Sequence, residues 1–399
     1  MTESNRHRIF EDVAASIEIP DSSYELAEAR YKDLGVWLGR PESSCGEYDP
    51  HISAQGSFRL GTVNRPLSEK AAYDLDLSCN LEGGLTMGNV TQEGLKSLVG
   101  SEVEGYRQAR KITEPLREKH RCWRLAYADK LTFHMDIVPC IPAELVSRRS
   151  IGDAMLKAGS DLALVQQVAG LTVSITDDRH PLYRQISSDW KVSNPQGYAR
   201  WFESRMRLAT TLLEKRVAEA RAATIDDLPA FRWKTPLQRC VQLLKRHRDI
   251  MFRTNPDAQP ISIIITTLAA RAYRGEADLG DALERVLTDM GGLVSSQVPR
   301  VPNPVNPAED FADKWSTEEG RRERLADNFD AWLAKARADF GLIWGSTDSD
   351  FISEQALKKL GLRLDSSALR AKLVIPVPAV MFSPKTHVIH DAPARPWKR

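Results

Sequence analysis

The chain has 399 residues, 42% of them hydrophobic and 27% charged, a globular profile with room for two or three domains that excludes a disordered chain and a disulfide-dependent small scaffold. Lys plus Arg total 55 against 54 for Asp plus Glu, so no global basic field exists to hold a large nucleic-acid footprint. The N-terminal MTESNRHRIF lacks the apolar core of a signal peptide, and no apolar run approaches about 18 residues, so a cytoplasmic protein without a membrane span is expected.

The first expected element is a helix from about Ser23 to Leu38, with an apolar stripe through Leu26, Ala29, Tyr31, Leu34 and Trp37. Tyr73 to Leu81 then alternates, apolar at odd and polar at even positions, which is a half-buried strand. Polar helices are expected around Thr91 to Val99 and Glu102 to Thr113, the second ended by Pro115. Leu131 to Val138 alternates again, and a weaker strand runs from Leu171 to Ile175. After Pro195 the pattern turns helical: Gly197 to Ala223, Thr235 to Met251, Ser262 to Tyr273, Leu279 to Met290 and Thr317 to Phe340. The Thr235 helix opens with a capping box, Thr235 as cap and Gln238 three residues on, with Pro236 between. Four prolines keep Val298 to Pro307 extended, and Pro376 and Pro378 make the tail run Leu373 to Phe382 an edge strand at best. The five cysteines (Cys45, Cys79, Cys122, Cys140, Cys240) form no CxxC pair and no zinc-ligand spacing, so reduced thiols are expected.

The chemistry concentrates on the two alternating strands. Asp74 and Asp76 stand two apart, so both carboxylates leave one face, with Cα atoms roughly 6.5–7 Å apart. Asp136 has the same phase on the second strand, between Met135 and Ile137. If the strands are neighbours, three carboxylates converge. A pair of charges about 4 Å apart at an effective dielectric near 20 repels by about 4 kcal/mol, so such a cluster calls for a cation. Magnesium prefers oxygen ligands and pairs with phosphates. Two ions about 3.5–4 Å apart can activate an attacking hydroxyl and neutralise a leaving pyrophosphate. A lone Asp-x-Asp equally describes the wet face of a sheet. Here, however, Gln55-Gly56-Ser57-Phe58-Arg59-Leu60-Gly61-Thr62 lies upstream, with Gly56 permitting close backbone approach to a phosphate and Ser57 adding a hydroxyl donor.

Gly-Ser, then Asp-x-Asp, then apolar-Asp-apolar resembles the polymerase-β-like nucleotidyltransferases. More narrowly, QGSFRLGTVNRPL, YDLDLSCNL and FHMDIVPCIP resemble the CD-NTases, the bacterial cyclic oligonucleotide synthases of CBASS antiviral defence, which are similar in fold to cyclic GMP-AMP synthase and oligoadenylate synthase. The likeness continues in SNPQGYARWF, TPLQRCVQLLKRHRD, ISIIITTLAARAY and NPVNPAEDFADKW, and so spans about residues 20 to 340. It implies an α+β, bilobed fold: a polymerase-β-like nucleotidyltransferase core with a mixed sheet and N-terminal helices (1–195), an oligoadenylate-synthase-like helical domain closing the cleft (196–360), and a C-terminal tail (361–399).

The resemblance also implies roles. Asp74 and Asp76 would bind both metals, and Asp136 would complete the site and help activate the acceptor hydroxyl. Gly56 and Ser57 would hold the β and γ phosphates, beside Gln55. Lys245 would reach the triphosphate from the helical domain, where spacing alone equally fits a solvated lysine, and Ser262 would be a second contact or a helix cap. Asn194 is expected to cap its helix or read a base, and Arg59 and Thr62 to touch phosphates or order the turn. His134 reads as a sheet histidine near Asp136, Trp201 as a core residue or a base-stacking one, and Arg246, His247 and Arg248 as a solvated face.

The implied reaction joins ribonucleoside triphosphates (ATP, with GTP, CTP or UTP) into a cyclic di- or trinucleotide second messenger. It would use two Mg2+ ions, with Mn2+ as a substitute, and accessory proteins of the defence system are candidate partners. The alternatives are nucleotidyl transfer to a tRNA, small-molecule or protein acceptor, and a catalytically inactive nucleotide or RNA sensor. The ending Pro396-Trp397-Lys398-Arg399 departs from the small final residue through which the family accepts a conjugating partner. No zinc-ribbon cysteines suggest DNA sensing.

Overall fold

A computed structural model of the chain describes residues 3–68, 72–127, 133–207 and 234–374. Helices α1 (Glu3–Ser16) and α2 (Asp21–Leu38) open it, followed by β1 (Pro50–Gln55), the single-turn helix α3 (Gly56–Leu60), β2 (Tyr73–Leu81) and α4 (Gln92–Ala109). Strands β3 (Arg117–Glu118), β4 (Trp123–Tyr127) and β5 (Phe133–Pro142) come next, then helices α5 (Leu145–Lys157) and α6 (Leu162–Val168) and strands β6 (Val173–Ile175) and β7 (Lys191–Ser193). The remainder is helical, α7 (Pro195–Met206), α8 (Pro236–Met251), α9 (Ser262–Ala272) and α10 (Leu279–Asp289). A short hairpin of β8 (Pro302–Asn303) and β9 (Asn306–Asp310) precedes α11 (Glu318–Arg322), α12 (Leu325–Gly345), α13 (Ser349–Leu360) and α14 (Ser366–Val374).

Alternation dictates the sheet. Leu75, Leu77, Cys79 and Leu81 of β2 and Met135 and Ile137 of β5 are fully buried on one face, where α2 and α4 cover them. The opposite face carries the polar residues of the same strands. β2 and β5 pair in parallel, and antiparallel neighbours complete a mixed seven-stranded sheet in the order β1-β2-β5-β4-β3, with β6 and β7 branching from the far end of β5. The α+β architecture with a helical second lobe is as expected.

Two large hydrophobic cores result, and they do not follow the chain. One lies between the sheet and α2 and α4. The other joins α7 to α10, α12 and α13 with α1, α5 and α6. Packing crosses the positions 195 and 360: α1 (Phe10, Val13, Ile17) and α5–α6 (Ile151, Met155, Val168) pack with the helical lobe, as do Leu362 and Leu369. Their apolar stripes find partners in the helices, while α2 and α4 cover one face of the sheet.

Other differences have local causes. α4 is one helix where two were expected, since the buried stripe Leu95, Val99, Val103 and Tyr106 runs unbroken through Gly100. The helix expected from Thr317 to Phe340 is two, interrupted at Arg324, whose φ is 56°. The Gly197 helix is described as far as Met206, and its expected extension to Ala223 lies outside the described residues. Residues 375–399 do too, with nearly all of the expected tail strand. The capping box at Thr235 and Gln238 is formed in full. The cysteines are free thiols, all but Cys122 buried. Among the described residues no helix is long and apolar enough to cross a membrane.

One packing contact bears on the site. Gly100 lets α4 approach β4 so closely that a Cβ there would run into the Trp123 ring, and Trp123 Nε1 donates to the Lys96 carbonyl at 2.8 Å. This contact holds β4 in place beside β5. Gly100→Ala is expected to destabilise the protein by about 1–3 kcal/mol, as overpacking does, measured by urea denaturation.

Candidate active site

The register places four side-chain positions in one row. Gln55 on β1 faces Asp76 on β2, Asp76 faces Asp136 on β5, and Asp136 faces Arg124 on β4. Asp74 faces His134 one step earlier. All of these residues belong to the open face, because each has the parity opposite to the buried leucines. The three carboxylates expected to converge are thus brought together by the pairing of β2 with β5.

Gly56 closes the row from above. Its φ of 64° suits glycine, and a Cβ there would collide with the Asp76 carboxylate. The chain then coils through α3, which stands on the seam between the two cores: Phe58 belongs to the sheet core and Leu60 to the helical one. Beneath this turn opens a cleft of about 530 Å³, lined by Gly56, Ser57, Asp74 and Asp76 on one side and by Lys245, Asp249, Ser262 and Thr266 on the other. That volume lies in the about 300–1,000 Å³ range of small-ligand sites. Lys245 Nζ donates to the Thr62 carbonyl at 2.9 Å. Ser262 is the first residue of α9 and does not cap it; its Oγ accepts from Arg248 Nη1 at 3.0 Å, which leaves its own proton to donate.

Charge in the site is unbalanced. Burial, with Asp136 and Asp74 as neighbours, pushes the Asp76 carboxyl up to about 7, against the pull of Arg124 and Lys245. Burial, with Arg248 alongside, brings the Lys245 ammonium down to about 8. Surplus negative charge on oxygen donors of this kind fits a hard divalent cation. Among the described residues, however, no three ligands already form a closed cage. The Asp136 carboxylate is turned onto Arg124, accepting from Nε at 2.6 Å and Nη2 at 2.7 Å. Arg124 Nη2 also lies 3.6 Å from Asp74 Oδ1, and His134 Nδ1 lies 3.3 Å from the same oxygen.

Not every expected residue joins the cluster. Gln55 is in the row but lines a smaller cavity of about 190 Å³ with Ser78, Arg121, Val138 and Ser193. Of the two roles expected for Asn194 the structure shows the cap: it is 3% exposed, accepts from Gly197 N at 2.8 Å and donates to the Val168 carbonyl at 2.8 Å. Arg59 pairs with Glu203 of α7 at 2.6 Å, and Thr62 orders the turn by bonding Ser57 O. Trp201 is a core residue.

The basic run on α8 is a correction, since Arg246, His247 and Arg248 are all buried. Arg246 bonds the Arg65 carbonyl, His247 lies 3.1 Å from Asp339, and Arg248 binds Asp249, Pro260 O and Ser262. α8 is the central helix of its lobe and has no solvated face for them. Arg124 is the residue that sequence reasoning passed over. Its signal was present: Trp123, Leu125 and Tyr127 alternate, so Arg124 had to face the carboxylate side of the sheet.

A carboxyl raised by folding favours the native state fully below the ordinary carboxylate range, and that advantage is lost as pH rises through its folded value. In the presence of chelator, stability is therefore expected to fall as pH is raised from about 4 to about 7, the interval between the ordinary and the raised Asp76 values. Asp76→Asn should flatten that fall and be the more stable protein at pH 8 in urea denaturation.

Comparison with known proteins agrees with this geometry. Residues 50–139 match the family described as cyclic GMP-AMP synthase DncV-like, nucleotidyltransferase domain. A c-di-GMP synthase of Roseivirga ehrenbergii is 29% identical over 308 residues, 76% of this chain and 71% of that protein. The cyclic dinucleotide synthase CdnG of Bradyrhizobium diazoefficiens is 24% identical over 326 residues, 77% of this chain and 69% of its own. The solved structure of that CD-NTase in complex with GTP superposes with a TM-score of 0.60 at 20% identity, covering 92% of this chain and 97% of the other. E. coli CdnC, in its complex with HORMA-deltaN, gives 0.57 at 13% identity over 90% of this chain and 98% of that one. The matched domain, the relatives aligned over most of their length and the shared fold make this chain similar to the CD-NTases, with a DncV-like nucleotidyltransferase domain at residues 50–139.

Proposed function

We propose that this nucleotidyltransferase joins two ribonucleoside triphosphates into a cyclic dinucleotide and releases pyrophosphate at each bond. One observation carries the reading: Gly56, Ser57, Asp74 and Asp76 face Lys245 and Ser262 across a single cleft between the two lobes. The curated relatives that this chain resembles over three quarters of its length are both cyclic dinucleotide synthases.

Each role follows from position. The backbone at Gly56 lies close to Asp76, so a triphosphate resting on the Gly56–Ser57 turn has its α-phosphorus beside the carboxylates. The Ser57 hydroxyl donates to a terminal phosphate, and the Ser262 hydroxyl, its lone pair taken by Arg248, donates from the other wall. Lys245 leaves the Thr62 carbonyl for a phosphate oxygen, a stronger acceptor. Asp74, Asp76 and Asp136 would hold two Mg2+ ions, for which Mn2+ would substitute. When bound, these ions neutralise the leaving pyrophosphate and make the acceptor hydroxyl more acidic. Asp136, on the far side of Asp76 from Gly56, would face that hydroxyl and receive its proton. Gln55 and Ser193 line the adjoining cavity on the same sheet face, which has room for part of a second nucleotide such as its base. Its nucleoside triphosphate substrates would be met in the cytoplasm. Accessory proteins of antiviral defence are candidate partners, as the HORMA complex of E. coli CdnC illustrates.

Incubating the protein with ATP, GTP, CTP and UTP and analysing products by mass should reveal a cyclic dinucleotide. Asp76→Asn should lower its yield at least about 100-fold while the circular dichroism stays unchanged. Label appearing on RNA or protein instead would move the reading to another acceptor. A second expectation concerns Lys245, whose ammonium is brought down to about 8. Affinity for a non-hydrolysable nucleoside triphosphate, measured by calorimetry, should weaken as pH rises above about 8. Lys245→Met should bind more weakly and without that decline.

A further inference from the structure

Asp136 has two competing uses. As a metal ligand it must offer an oxygen to a divalent ion at about 2.0–2.1 Å. Both of its oxygens already accept from Arg124, at 2.6 and 2.7 Å, in the two-pronged geometry that makes guanidinium–carboxylate pairs strong. A guanidinium and a divalent ion on the same oxygens repel each other, so one must yield. The pair is built into the sheet: Arg124 is the cross-strand partner of Asp136, and the Trp123–Gly100 contact behind β4 fixes its backbone. The same guanidinium reaches Asp74 at 3.6 Å.

We propose that Arg124 is a positioning residue that competes with divalent cations for Asp136, occupying both oxygens of this carboxylate until metal and triphosphate arrive together. Arg124 supplies part of the positive charge that three converging carboxylates need, which lessens their repulsion in the folded protein without metal. A triphosphate adds further negative charge beside Asp74 and Asp76 and raises the demand for cations beyond what one guanidinium can meet. The exchange then favours the ion, and Asp136 swings from Arg124 to complete the site. Loading of the full metal set is thereby tied to substrate. This inference rests on the reading of Asp74, Asp76 and Asp136 as a metal site.

The test uses the full chain without nucleotide and Mn2+ as the probe, with free Mn2+ read by electron paramagnetic resonance. Arg124→Met should bind Mn2+ more tightly by about tenfold or more, the scale of one lost charge-assisted pair. Arg124→Lys, which keeps the charge and loses the fork, should show most of that gain, and it carries the test if the Met variant fails to fold. Adding Asp136→Asn to either variant should remove the gain. Unchanged or weaker Mn2+ binding in the Arg124 variants overturns the proposal, as does a Lys variant that matches the natural protein. Two failures are distinguishable. If the natural protein binds Mn2+, Asp76→Asn abolishes it and the Arg124 variants do not tighten it, the competition is wrong and the metal site stands. If none of these proteins binds Mn2+, the metal site falls and the proposal with it.

Discussion

Repulsion among three carboxylates governs the architecture of this site. The parallel pairing of β2 with β5 sets Asp76 directly opposite Asp136, with Asp74 two residues away on the same face. A sheet holds such groups at fixed spacing and cannot let them spread. The surroundings therefore supply positive charge: Arg124 from β4 and Lys245 from α8. The Asp76 carboxyl is still displaced to about 7, so this compensation is incomplete. Incomplete compensation is what makes the site receptive to cations and, through them, to phosphates.

The second lobe is coupled to that site through one short stretch of backbone. Along one face of α8, Gln238, Gln242 and Lys245 donate to the carbonyls of Leu60, Val63 and Thr62 at 2.9, 2.7 and 2.9 Å, and Arg246 bonds Arg65 O. Asn64 returns a bond to the Gln242 carbonyl at 2.9 Å. The segment leaving the Gly56–Ser57 turn is thus clasped by the helix that carries Lys245. A shift of α8 would be felt at the turn, and pressure at the turn would be felt at α8. The polar residues that read as a solvated helix face are the clasp and its supports. Arg248 does similar service on the far wall, binding Asp249 and orienting the Ser262 hydroxyl.

The fold shared with CdnG and CdnC at low sequence identity indicates which parts of the arrangement are architectural. In this chain the two cores meet at α3 and leave one sheet face open, and the cleft lies there. Within that cleft this chain sets the Arg124–Asp136 fork, the Gly56–Asp76 contact and the buried Lys245.

Much of the site was legible in the amino-acid sequence because strand parity is a local property. The alternation of Tyr73 to Leu81 and of Phe133 to Val138 put Asp74, Asp76 and Asp136 on the wet side of their strands. Gly56 announced a close approach, and Thr235 with Gln238 announced the start of α8. Parity could not say which strands are neighbours. Only tertiary structure set β5 between β2 and β4, and so made Arg124 the partner of Asp136. Helix burial was equally undecided by pattern: Arg246, His247 and Arg248 look solvated on a helical wheel until helices close in on every side. The allocation of α1, α5 and α6 to the helical lobe had the same cause. An apolar stripe states that a helix must be covered, and the partner that covers it depends on contacts between residues far apart in the chain.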